Sequence, residues 1–137
     1  MILEWLIRSA MRDLYPRSDH FPGIEDCGDT AFISRFRRES PFLLWIGVVA
    51  GTALYVATPV FTVLRPLPSF WLPARLRDLH AQRITSTTLY FPRQAVFLLK
   101  MVAGLCWGSH PSVREKIGLP AYGEDSGGYW RDGEAPQ

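Results

Sequence analysis

Residues 41–64 read PFLLWIGVVAGTALYVATPVFTVL, 24 consecutive positions without a charge, preceded by Arg35, Arg37 and Arg38 and followed by Arg65. A helix that crosses the ~30 Å hydrocarbon core of a bilayer needs about 20 apolar residues at ~1.5 Å each. A helix on the surface of a soluble core normally carries a polar stripe, and this run has none. The stretch is therefore expected to be a single membrane-spanning helix, with a helix buried in a soluble complex as the alternative, and with a kink or an early end at Pro59, which lacks a backbone N–H. Gly47 and Gly51 stand four apart within it, and Gly104 and Gly108 repeat the spacing later in the chain. Small residues at that interval open a groove where a second helix can come close, so all four are expected helix-packing positions.

Upstream, residues 1–14 (MILEWLIRSAMRDL) place Leu3, Leu6, Ile7, Ala10, Met11 and Leu14 at helical spacing. Such a helix either lies on lipid or packs on a partner protein. Residues 15–29 hold two prolines, two glycines and no period, which predicts a linker. Asp29 is expected to cap a short helix over residues 30–39 that lies at the headgroups. The apolar run begins too far along the chain for a cleavable signal, so Arg37-Arg38 reads as a basic interfacial flank.

Downstream, residues 65–73 (RPLPSFWLP) hold three prolines and predict a stiff connector, with Phe70 and Trp71 suited to an interface. Pro73 then opens a helix. A second apolar block, residues 95–107 (AVFLLKMVAGLCW), is too short to span and suits a buried or re-entrant helix. Ser112 and Glu115 have capping-box spacing for a short helix that Gly118 stops. The organisation expected is thus all-α: an amphipathic N-terminal region with linker (1–40), the membrane helix (41–64), a helical docking region (65–117) and an extended Gly/Pro/acidic arm (118–137).

Composition narrows the function. The 137 residues are 47% hydrophobic and 13% aromatic with a net charge of +2, enough for one core and too apolar for disorder. Cys27 and Cys106 lie far apart and exclude a disulfide scaffold, a zinc ribbon and a CxxCH haem attachment. His20, His80 and His110 fall in three different segments, none with a ligand neighbour at i+3 or i+4. No phosphate-cradling glycine loop and no nucleophile elbow occur, and the arginines do not interleave with aromatics as in nucleic-acid binders. No catalytic residue, cofactor or metal site is expected, nor is nucleic-acid binding. Residues 65–116 carry eight Lys/Arg against two Asp/Glu, a basic block that favours an inner (cytoplasmic) membrane location with the C-terminal part in the cytoplasm. Buried aromatics carry interface energy, so Phe70, Trp71, Phe97, Trp107, Tyr122 and Trp130 are the expected partner-docking residues.

One further pattern lies in the second half. Residues 72–84 (LPARLRDLHAQRI) are followed by a proline, a Lys-containing apolar helix at 97–107 (FLLKMVAGLCW) and then HPSVREKIGLPAYGED at 110–125. This order resembles the small subunit of gluconate- and glucose-type membrane dehydrogenases and the helical segment of the long-chain glucose–methanol–choline flavoprotein oxidoreductases. The specific part is His110, Pro111, Val113, Arg114, Ile117 and Gly118. The resemblance implies a non-catalytic partner that anchors a larger, FAD-bearing subunit in a hetero-oligomer at the membrane. The family's twin-arginine export peptide has no counterpart, and the internal apolar run stands in its place. A small structural subunit of another membrane complex, respiratory or photosynthetic, fits the same residues, as does a membrane-surface scaffold that binds anionic lipid.

Overall fold

The computed structural model describes residues 2–120, and every regular element among them is helical. Seven α-helices follow in order: α1 Ile2–Leu14, α2 Asp29–Glu39, α3 Phe42–Ala57, α4 Pro59–Thr62, α5 Ala74–Thr85, α6 Tyr90–Ser109 and α7 Pro111–Lys116. Single 3-10 turns at Ile24–Cys27 and Ser69–Trp71 interrupt the connectors before α2 and α5.

α3 and α6 make the largest helix contact in the fold. A Cβ added to Gly47 would meet Leu98, and one added to Gly51 would meet the Ala95 carbonyl, so residue numbers rise on one helix as they fall on the other. The pair is antiparallel. Across one side of it lies α1, which buries Ile7, Ala10 and Met11 completely. An ion pair of Glu4 with Arg37 marks one end of α1, and a hydrogen bond from Tyr55 to Asp13 marks the other. α1 therefore runs alongside α3 in the same direction. α6 contributes Val96, Leu99, Val102, Ala103 and Cys106 to the core, on the i, i+3, i+7 pattern that a helix needs to bury one face.

Several expectations are corrected here. The single span over residues 41–64 is two helices, because the run breaks at Thr58 before Pro59, which opens α4 without a donor of its own. At 16 residues α3 reaches roughly 24 Å, and no single helix among the described residues is long and apolar enough to cross a membrane. α5 and α6 together have the length and composition, but the chain bends by 117° between them. α1 lies neither on lipid nor on a partner through its apolar face, since the core of its own chain occupies that face. Asp29 is the first residue of α2 and not its cap; it is buried and accepts from Arg12 Nε at 2.9 Å. His110, not Ser112, is the N-cap of α7, and the Ser112 hydroxyl bonds His110 Nδ1 at 2.7 Å instead. α6 starts five residues before the apolar block, because Pro92 falls in its first turn, where a missing N–H costs nothing.

Candidate docking surface

The outer side of α3 and α4 is an apolar stripe. Leu43, Ile46, Ala50, Ala53 and Ala57 recur on α3 at alternating intervals of three and four and are exposed, and past the break at Thr58 Val60 on α4 and Leu64 in the turn after it are exposed as well. Leu43 and Leu64 are each 81% exposed, whereas Val48, Thr52 and Tyr55 on the opposite side are buried. Small alanines in the middle and bulky residues at the ends make a shallow trough. On α6 the side away from the core carries Phe97, Met101 and Leu105, again exposed and apolar. Both stripes lie on helices that pack against each other, and around Phe97 the outer side of α6 also carries Arg93, Gln94 and Lys100. Arg35, Arg37 and Arg38 stand beyond one end of α3. At the other end Arg65 is exposed, and Arg83 reaches the carbonyl of Thr62. There α4 and the start of α6 enclose a groove of about 580 Å³ lined in part by Leu54, Phe61, Leu89, Phe91 and Pro92.

A polar cluster locks the layers together behind this surface. Tyr55 Oη donates to Asp13 Oδ2 at 3.3 Å, and Arg77 Nη1 donates to Asp13 Oδ1 at 3.2 Å. Asp13 thus ties α1 to α3 and α5. Desolvation outweighs the Arg77 charge and the Tyr55 hydrogen bond, and it pushes the Asp13 carboxyl up to about 6. His80, fully buried, packs on Tyr55 with ring centres 4.5 Å apart and the planes tilted by 48°. Its Nε2 lies 2.8 Å from the Tyr55 carbonyl, and its Nδ1 lies 2.5 Å from Thr62 Oγ1. A carbonyl can only accept, so Nε2 carries the proton and Nδ1 accepts from the threonine hydroxyl. Burial lowers the His80 pKa and favours this neutral form. The hydrogen bonds of the cluster go to protein groups on α1, α3, α4 and α5, which makes it a clasp between helices.

The expected site residues are distributed unevenly. Gly47 and Gly51 do form a close helix contact, and the helix they receive is α6 of the same chain. Gly104 faces the Tyr15 hydroxyl, and nothing lies near Gly108. Trp107 is spent internally: its Nε1 donates to the Pro22 carbonyl at 2.9 Å, and its ring packs on Tyr15 and Phe21. Phe70 meets Trp5 edge-on at 5.3 Å, whereas Trp71 and Phe97 are exposed. Tyr122, Trp130 and the arm 118–137 beyond Pro120 lie outside the described residues. The alanine stripe and the Asp13 cluster were not anticipated. The stripe's spacing is present in the sequence, but the inner side of α3 is apolar too, so no contrast of polarity marks which side faces out. Among the described residues, no three His, Cys, Asp or Glu side chains gather to hold a metal ion. No protein-family model, curated protein or solved structure matches the chain.

Proposed function

We propose that this protein is a non-catalytic accessory subunit that seats its α3–α4–α6 surface in the membrane and holds a larger flavin-dependent oxidoreductase there. The observation that carries the membrane part is the exposed uncharged stripe of α3 from Leu43 to Ala57, with Val60, Phe61 and Leu64 exposed beyond it. Soluble monomers rarely leave so continuous an apolar patch in water. Hydrocarbon covers such a stripe without requiring complementary shape. The geometry favours seating over crossing, because α1 runs beside α3 and carries Glu4, Arg8 and Arg12, which a spanning arrangement would drag into hydrocarbon. With the apolar layer down and α1, α2 and α5 up, the molecule is amphipathic as a whole, as in-plane membrane proteins are. The flavoprotein partner rests on the order of features over residues 72–118, which make up α5, α6 and α7 here.

Ala53 is exposed at the centre of the stripe, so a charge placed there touches no core residue. Ala53→Glu is expected to move the protein from the membrane fraction to the carbonate-washed supernatant while its helical circular dichroism stays that of the wild type. Recovery of both proteins in the supernatant would refute the membrane reading. Flavin absorbance that co-purifies with a tagged copy tests the partner.

A further inference from the structure

A cavity of about 250 Å³ opens on the side of α1 away from the core, lined by Trp5, Arg8, Ser9, Arg12, Phe70 and Arg77. Positions 5, 8, 9 and 12 form one face of α1, by the i, i+3, i+4, i+7 rule. The 3-10 turn at Ser69–Trp71 and α5 complete the wall with Phe70 and Arg77. Three of the six lining residues are arginines and none is acidic. The neighbouring cavity, lined by Arg12, Asp13, Arg17, Glu25, Arg77 and Asp78 among others, mixes both signs. The acids that pair with the pocket arginines, Asp29 on Arg12 and Asp13 on Arg77, do not line the pocket. They orient two guanidinium groups and leave part of each five-donor fork unspent.

Two observations show that the donors of this wall are not fully used. Arg8 bonds only the neutral hydroxyl of Thr30, and no carboxylate among the described residues pairs with it. Arg77 spends one guanidinium nitrogen, Nη1, on Asp13, and its Nε is buried without a hydrogen-bond partner among the described residues, so its donors are not used up by the fold. We infer that the pocket binds a phosphate group: a tetrahedral oxyanion turns its oxygens to several sides and carries up to two charges, which matches guanidinium groups that converge from α1 and α5 better than a planar, singly charged carboxylate does. The volume falls below that of pockets for drug-sized ligands, which suits one phosphate with little attached. Trp5 and Phe70, edge to face, form the apolar rim that shields it. The pocket lies on the side of α1 away from the core, and this inference does not depend on the membrane proposal.

The test is titration of the full chain in mild detergent with inorganic phosphate, against chloride at matched ionic strength. It is paired with sedimentation on phosphatidylcholine vesicles with and without phosphatidylglycerol. Saturable phosphate binding is expected, roughly tenfold weaker or worse in Arg8→Gln and unchanged in Arg75→Gln, an exposed arginine of α5 outside the pocket. Ser9→Glu places a carboxylate in the pocket and abolishes binding without touching an arginine, which covers the case that Arg8→Gln fails to fold. If free phosphate does not bind while phosphatidylglycerol vesicles bind with the same Arg8 dependence, the phosphate group belongs to a lipid headgroup. Equal binding by wild type and both pocket variants, or no Arg8-dependent binding to either probe, overturns the assignment.

Discussion

At Gly51 a side chain has nowhere to begin, because a Cβ would stand 2.3 Å from the Ala95 carbonyl oxygen, a backbone atom that cannot step aside. At Gly108 nothing lies within 4 Å. Gly51→Ala is therefore expected to cost about 3 kcal/mol or more. Gly108→Ala should gain about 0.5–1 kcal/mol from helix propensity alone. Denaturant melts of the two variants check both signs. Asp13 supplies a second residue-level test. Its carboxyl is raised in the folded state, so the fold binds more protons than the unfolded chain between about pH 4 and 6. The resulting stability is complete below the unfolded pKa and is lost as the pH rises through about 6, on the order of 2–3 kcal/mol. Burial of His80 acts in the opposite direction below its ordinary pKa. The difference between wild type and Asp13→Asn across that window isolates the carboxyl: the wild type should lose stability relative to the variant as pH rises. The spacing of Gly47 and Gly51 is plain in the sequence, but their partner is not. Nor is the bond between Asp13 and Tyr55, residues 42 apart, whose meeting depends on how α1 is laid along α3.

The helices show where periodicity is informative and where it fails. α1 is legible because its polar and apolar residues alternate with a helical period, and the structure begins and ends it within a residue of that pattern. In α3 the same method has nothing to work on, since polarity varies little around the helix. The break at Thr58 depends on a proline whose position is obvious, but whether a proline kinks a helix or ends it is decided by packing. α6 offers a direct comparison of an inner and an outer face. Leu99 is fully buried and lies 3.5 Å from where a Gly51 Cβ would be, while Met101 is 43% exposed. Leu99→Ala should cost about 2–5 kcal/mol in a denaturant melt. Met101→Ala should cost under about 1 kcal/mol there, yet weaken vesicle binding because it removes area from the outer stripe.

At the scale of the whole molecule, two layers of unlike character are joined by one buried polar clasp. The upper layer of α1, α2 and α5 carries most of the ion pairs, among them Arg12 with Asp29 and Arg37 with Glu4. The lower layer exposes mainly apolar side chains, with Arg93, Gln94 and Lys100 of α6 as its polar part. In buffer without lipid or detergent the chain is expected to self-associate, and a mild non-ionic detergent should disperse it to single particles. Size-exclusion chromatography with light scattering reads this directly, and a monodisperse monomer in plain buffer would contradict it. All-α architecture was legible from composition and helical periods. The two-layer division was not, because it arises from which faces meet across the chain.

The antiparallel meeting of α3 with α6 also carries a cost in time. Ala95 and Leu99, which close over Gly51, are separated from it by more than forty residues of chain. At a synthesis rate of 5–20 residues per second, they leave the ribosome about 2–10 s after it. For those seconds the most apolar part of the nascent chain has α1 beside it and no α6. For that interval the inner face of α3 has no cover from its own chain on the α6 side.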